Sequence, residues 1–383
     1  MRLGVDLRVL VRGTLTGVEE YTLELLQALL ALPDGPAITG FYNAWRRAPV
    51  PRELSGHPKL SLRIGSVPNR LFAISSTFLN RPQLDQWLGG AEIVWSPHFL
   101  AAAVSPRARR VITFHDLSFE RYPEFFPRRR RLWHWSQKPR QQAQAASRLI
   151  AVSHSTKADL VNLYRVAPDK VAVVHSGLAS HFRPLDPADP QVVSVRKRYE
   201  LTRPFVLFLG TLEPRKNVSG LIRAFDSLVR SGPETFRDLE LVLAGTLGWY
   251  AGGIFAAARA SPVRRRIRFL GFVPPEHKAA LYSAATVFVY PSFFEGFGFP
   301  PLEAMACGTP TICSHVASLP EVVGDGALMV DPWRQDELKC AMELVLVDSH
   351  RAQELRRRGL AQAKKFSWPR AAAATLRVFE ETL

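Results

Sequence analysis

ATVFVYPSFFEGFGFPPLEAMACG, residues 285–308, decides how the rest of the chain is read. The apolar run 285–290 is a buried strand that stops at Pro291. A loop follows in which Gly296 and Gly298 flank Phe297, and Pro300 and Pro301 then open a short helix that Gly308 ends. Proline is tolerated in a first helical turn because the missing N–H has no intrahelical partner there, and glycine suits the left-handed stop. Strand, loop and helix make one βα unit. Glu295 lies on the loop, and Glu303, eight positions on, is expected in the first turn of the helix, where the dipole favours an anion. A carboxylate can accept from two vicinal hydroxyls, as sugars and ribose present them. The two glycines let backbone N–H groups approach a ligand closely. Either glutamate alone reads as a cap or a solvated turn; the whole pattern points to a sugar-binding pocket.

Outward from this unit the same alternation recurs. PFVLFLG, LELVLAG and IRFLGFV upstream, and TPTICSH and ALMVDP downstream, read as strands separated by amphipathic helices. In the N-terminal half MRLGVDLRVL, AITGFYNAW, AEIVWSP, RVITFHD, SRLIAVS and KVAVVHSG read as strands, with VEEYTLELLQALLAL as one intervening helix. Such alternation predicts parallel sheets. A polar, Pro-rich stretch, ASHFRPLDPADPQVV at 179–193, interrupts it, and FSWPRAAAATLRVFEETL ends the chain as a helix. The expected fold class is α/β, with two Rossmann-like doubly wound domains facing across a cleft. They span 1–180 and 200–365, with a linker at 181–199 and helix 366–383 crossing back onto the first domain. Ligands of such sheets bind beyond the carboxyl ends of the strands.

At 383 residues the chain exceeds one comfortable core and suits two domains. Its 47% hydrophobic and 22% charged residues are a globular balance, and no apolar run is long enough for a membrane span. The N-terminal segment reads as a strand rather than a leader. Cys307, Cys313 and Cys340, an odd number without metal-ligand spacing, argue against a disulfide framework and suit a reducing cytoplasm. A net charge of +16 draws the chain to phosphates, on a nucleotide, a nucleic acid or a lipid surface. Zinc spacing, an RNP-type motif and a helix-turn-helix signature are all missing, so no nucleic-acid partner is expected.

Other strand-end loops carry candidate chemistry. In FLGTLEPRKN, 208–217, Arg215 and Lys216 precede a helix start, where two cations can stabilise a departing nucleoside diphosphate. An ordinary basic turn is the plain alternative. VRGTLTG runs into Gly17 at a strand-to-helix junction, where the backbone can reach a phosphate or simply turn. It is not a G-x-G-x-x-G fingerprint, so no dinucleotide cofactor is expected. His115 and Asp116 follow the strand RVITF, where a histidine can hydrogen-bond a sugar hydroxyl or an acceptor. His98 and His154 occupy similar positions, with Ser155 and Lys157 expected to start the next helix. EFFPRRRRLWHWSQK mixes the four arginines 128–131 with Phe125, Phe126, Trp133 and Trp135. Such a mixture suits the headgroup zone of an anionic membrane, and equally a solvated helix face with Trp133 packed inward.

The stretch 291–332, with its E-x7-E spacing, EGFG loop and LPEVVGDGALMVDP continuation, resembles family-4 retaining glycosyltransferases of the GT-B fold. The likeness extends through FLGTLEPRKNVSGLIRAF, FSWPRAAAATL, TGVEEYTLELL and VITFHDLSFERYPEFF, so nearly the full chain takes part. It implies a catalytic set of Glu295, His115, Lys216 and Arg215, with Glu295 on the donor hexose and Glu303 on the ribose. Gly296, Phe297, Gly298 and Phe299 would line the sugar and diphosphate. Gly17 would belong to a loop closing over the diphosphate, Asp116 would sit with the substrate, and backbone near Phe272 and Val273 would select the base. Many relatives carry an arginine directly after the loop glycine where this chain has Thr211, so Arg215 would supply the second cation. No Asp-x-Asp motif occurs, so the Arg–Lys pair would replace a metal, and no cofactor is expected beside the nucleotide-sugar substrate.

The forms HDLSFERYPEFF and GTLEPRKN resemble mannosyltransferases of bacterial surface polysaccharides, which implies GDP-mannose, with UDP-hexoses left open. The implied acceptor is a glycan or a polyprenyl-linked one, met in the cytoplasm or peripherally at the inner face of the plasma membrane. The nearest rival is a sugar-nucleotide epimerase of the same architecture, which would convert the donor with no acceptor present.

Overall fold

The computed structural model describes residues 1–12, 17–43, 51, 54 and 56–383. The chain divides into two compact units, residues 1–177 with 366–383, and residues 178–365. In the first, strands β1 (Leu3–Asp6), β2 (Ile38–Asn43), β3 (Leu60–Gly65), β4 (Ile93–Ser96), β5 (Arg109–Phe114), β6 (Arg148–Ala151) and β7 (Val171–Val173) form a sheet in the order β3-β2-β1-β4-β5-β6-β7. In the second, β8 (Phe205–Leu209), β9 (Glu240–Ala244), β10 (Ile267–Gly271), β11 (Val287–Tyr290), β12 (Thr311–Ser314) and β13 (Leu328–Val330) run β10-β9-β8-β11-β12-β13. Every pairing is parallel, with registers such as Leu3↔Ile93 and Val287↔Val206. Central strands such as β8, FVLFL, are buried along their whole length, as strands covered by helices on both faces must be.

The strand order reverses between β1 and β4 in the first unit and between β8 and β11 in the second. Chains leaving two such strands diverge, and the crevice beyond their carboxyl ends is the natural ligand position of this architecture. The loops at 208–217 and 291–298 follow β8 and β11 directly. The helix Val218–Ser231 buries Val218, Leu221, Ile222, Phe225 and Leu228, a three-and-four spacing that lays one apolar stripe on the sheet. In the first unit Gly17–Leu30 and the final helix Trp368–Glu380 lie against each other, with Tyr21 and Trp368 rings 5.8 Å apart.

Three expectations need correcting. The stretch assigned to the linker, 181–199, contains the helix Pro190–Arg198, which belongs to the second unit. Asp189 caps it by accepting from Gln191 N at 2.8 Å, Pro190 fills the first position, and Val192 and Val195 are buried. The same Asp-Pro pair that signals a turn also starts a helix. The first strand ends at Asp6, not at Leu10, because the buried Arg8 folds back onto Asp6 (Nε to Oδ1 2.8 Å, Nη2 to Oδ2 2.6 Å) and the chain enters a 3₁₀ turn, Arg8–Arg12. Strand β3, absent from the sequence reading, is an edge strand that among the described residues pairs with β2 alone, and it is largely exposed, so its pattern is not apolar enough to stand out.

Candidate active site

The β8 loop closes with the 3₁₀ turn Pro214–Lys216, after which Asn217 at φ 53° begins the helix Val218–Ser231. Asparagine tolerates this left-handed geometry, and its Nδ2 donates to Pro332 O at 2.7 Å. The β11 loop is tied to the β8 loop by Phe293 N donating to Arg215 O at 2.8 Å. The Ser318 hydroxyl clamps its far side, lying 2.9 Å from Glu295 O and 2.8 Å from Phe297 O. Gly298, at φ 112°, caps the helix Phe299–Ala306, and a Cβ there would stand 2.6 Å from Leu319 Cδ2. Only glycine fits that backbone and that space.

This framework brings Glu295, Arg215 and Lys216 together. Lys216 Nζ donates to Glu295 Oε1 at 2.6 Å and to the Tyr290 hydroxyl at 2.7 Å. Arg215 Nη1 donates to Glu295 Oε2 at 3.1 Å and to Phe294 O at 2.7 Å, while its Nη2 pairs with Glu213 at 2.9 Å. Ser292 Oγ lies 2.5 Å from Glu295 Oε1. Burial alone would raise the Glu295 carboxyl, but Lys216 and Arg215, with the hydrogen bonds from Lys216 and Ser292, hold it down at about 2. Burial and the neighbouring Arg215 lower Lys216 from the ordinary lysine value, and the carboxylates of Glu295 and Glu213 oppose that shift. A carboxylate offers about four lone-pair positions and an ammonium three N–H donors. Lys216, Arg215, Ser292 and Tyr290 together surround the Glu295 carboxylate, while Lys216 Nζ spends two of its three N–H donors on Glu295 and Tyr290 and keeps one for a polar ligand.

Glu303 is held separately. The helix starts at Phe299, one residue ahead of the prolines, because Gly298 is its cap; Glu303 is therefore in the second turn, not the first. It is buried, and its Oε2 accepts from the Tyr282 hydroxyl at 2.7 Å. Burial and the adjacent Glu303 push the Tyr282 phenol well above its usual value, which keeps it a donor. Gly296 and Phe297 are buried, and the Phe299 ring lies tilted against Phe297 at 5.1 Å. After Gly271, at φ 69°, Phe272 is 65% exposed while Val273 is buried.

The first-unit candidates are placed differently. His115 Nε2 lies 2.8 Å from Pro97 O, a carbonyl that can only accept, so Nε2 carries the proton. Burial lowers its pKa, so the ring is neutral at neutral pH with Nδ1 as an acceptor. Its ring meets Tyr21 edge to face at 4.7 Å. Asp116 Oδ1 accepts from Ser118 N at 2.9 Å and lies 2.6 Å from Ser118 Oγ, fixing the turn into the helix Ser118–Arg121. Gly17 opens its helix with open space around it, and residues 13–16 before it lie outside the described residues. His98 Nδ1 accepts from Phe99 N at 2.8 Å. Ser153, rather than Ser155, caps the helix His154–Tyr164 by accepting from Thr156 N at 3.0 Å. In the arginine-rich helix Arg128–Ser136, Trp133 packs against the core and Trp135 is exposed.

The supporting residues that the sequence reading missed are Tyr282, Tyr290, Ser292, Ser318 and Glu213. Ser292 has a local signal, three positions ahead of Glu295 on the same loop. Glu213 and Tyr290 lie in the quoted stretches; Glu213 pairs with Arg215 on its own loop, Tyr290 meets Lys216 only where the two loops come together, and Tyr282 and Ser318 come from separate segments.

Residues 194–365 match the family described as glycosyl transferases group 1, and residues 15–180 match glycosyltransferase family 4. O-antigen chain mannosyltransferase B from Escherichia coli is 32% identical over 381 residues, covering 97% of this chain and 97% of its own. Among solved structures, sucrose-phosphate synthase from Thermosynechococcus elongatus superposes with TM-score 0.76 at 20% identity, covering 100% of this chain and 98% of that one. Anabaena HepE in complex with UDP-glucose does so at 0.75 and 17%, covering 100% of both. The structural likenesses carry the fold, the end-to-end sequence match carries the relationship, and together they make this chain a member of the family 4 glycosyltransferases, retaining enzymes of the GT-B fold.

Proposed function

We propose that the chain transfers mannose from GDP-mannose to a glycan or polyprenyl-linked acceptor at the inner face of a membrane. The observation that carries this reading is the buried Glu295 carboxylate, held between Lys216 and Arg215 at the strand-order reversal of the second unit. Glu295 would accept from hexose hydroxyls away from the anomeric carbon, and Glu303 from the ribose. Lys216, with Arg215 behind it, would neutralise the charge that builds on the leaving diphosphate. The acceptor hydroxyl would attack on the face from which the diphosphate departs. The bond from C1 to the phosphate oxygen breaks, the bond from C1 to the acceptor oxygen forms, and the acceptor proton passes to a phosphate oxygen. The protein supplies orientation and charge rather than a covalent partner. His115, neutral with Nδ1 as acceptor, suits a sugar or acceptor hydroxyl. The similarity to a mannosyltransferase over its full length favours mannose over glucose as the transferred sugar.

Thermal-shift and transfer assays with GDP-mannose, UDP-glucose and UDP-GlcNAc, each with and without chelator, test the reading. GDP-mannose is expected to stabilise and to be consumed, with chelator making no difference. Stabilisation only by a uridine nucleotide, or activity lost to chelator and restored by Mn²⁺, would overturn the donor or the metal-independent chemistry respectively.

A further inference from the structure

A cavity of about 710 Å³ opens in the first unit, walled by the helices Ser118–Arg121, Arg128–Ser136 and Pro139–Ala145. Arg128, Arg131, Lys138 and Arg140 line it against a single carboxylate, Glu120, whose Oε1 accepts from the Tyr164 hydroxyl at 2.9 Å. Among the described residues Arg128, Arg131 and Arg140 form no ion pair. Guanidinium groups grip phosphate oxygens with paired N–H donors, and several of them converging on one concavity leave a strong positive field to be answered. Leu132 and Trp135, also lining it, are 64% and 74% exposed, a large apolar surface next to the charges.

The walls are firmly set. Arg121 Nε donates to the buried Asp159 at 2.9 Å, fixing Ser118–Arg121 to the helix His154–Tyr164. Phe119 stacks on His134 at 4.3 Å and 20°, and burial drives His134 down to about 4, so this ring adds no charge. The volume is in the range of small-molecule sites, in a hollow that stays open to solvent.

We infer that this cavity holds the diphosphate of a lipid-linked acceptor, with the first isoprene units of the lipid lying over Leu132 and Trp135. If the proposed glycosyl transfer holds, the acceptor's anchor begins at Phe119, four residues beyond His115 and past the carboxyl end of the same strand, β5. A diphosphate matches the excess of cations better than the single charge of a bilayer headgroup does. A prenyl chain in turn accounts for the exposed leucine and tryptophan, which a free nucleotide would not cover.

The test is calorimetric titration of the full chain with farnesyl diphosphate, inorganic pyrophosphate and GDP-mannose, beside flotation with phosphatidylglycerol vesicles. The Arg128→Ala/Arg131→Ala double variant should weaken farnesyl diphosphate at least about tenfold, the size of one or two charge-assisted hydrogen bonds, and leave GDP-mannose affinity unchanged. Trp135→Ala should weaken farnesyl diphosphate but not pyrophosphate. Since these side chains are exposed, an unaltered melting temperature is expected for each variant. Equal farnesyl diphosphate affinity in wild type and double variant overturns the site. So does loss of vesicle flotation with that affinity intact, which would make the patch a bilayer contact. A wild type that binds farnesyl diphosphate through these arginines but not GDP-mannose would refute the donor assignment while supporting the cavity's.

Discussion

A carboxylate buried beside two cations is costly to leave half-paired, so Glu295 and Lys216 depend on each other for stability and, under the proposed transfer, for activity. Replacing Glu295 or Lys216 by alanine is expected to lower turnover at least about 10²-fold, the loss typical of one electrostatic contact in an active site, as measured by steady-state transfer assays. The Glu295 carboxyl is held at about 2 against an ordinary value of 4.5, so the folded state binds its proton later than the unfolded one. Its contribution to stability is complete above about pH 4.5 and is lost as the pH falls toward 2. Denaturant midpoints followed across that window should fall less steeply for Glu295→Gln than for wild type; parallel curves would contradict the pairing. Both Glu295 and Lys216 were legible in the sequence because each lies in a short loop directly after an apolar strand. Tyr290 and Tyr282 were not, since a tyrosine closing a strand or a helix looks like core until a partner from a distant segment is seen against it.

At the scale of elements, the βα unit at 285–308 carries most of the site's geometry, and Gly298 is its tightest point. Alanine there would need a left-handed φ and a position 2.6 Å from Leu319 Cδ2. Gly298→Ala is expected to cost about 1–3 kcal/mol in chemical denaturation, the usual strain of that backbone region for a non-glycine residue. It should also reduce donor affinity, because the same glycine aims the 291–298 loop. The strands named from the sequence, and the helices at 18–32 and 366–383, followed from periodicity. The exceptions have separate physical causes: Asp189-Pro190 is a cap as well as a turn, Arg8 turns on its own neighbour Asp6, and β3 is exposed at an edge. The placement of Glu303 missed by one turn because glycine, not proline, sets where that helix begins.

For the whole molecule, the paired parallel sheets and the similarity to glycosyltransferases along the full chain could be read from the alternation and from the motifs. The net charge of +16 could not be assigned from sequence, because charge has no address until the fold places it. Part of it now has one, at the Arg215–Lys216 pair and around the 710 Å³ cavity of the first unit. Among the described residues no helix is long and apolar enough to cross a membrane. The most direct test of the account is a crystal structure of the chain with GDP-mannose bound. It should show a diphosphate oxygen at hydrogen-bond distance, about 3 Å, from Lys216 Nζ, hexose hydroxyls on Glu295 and ribose hydroxyls on Glu303. A donor bound elsewhere, with Glu295 and Glu303 still engaged only by Lys216, Arg215 and Tyr282, would contradict it.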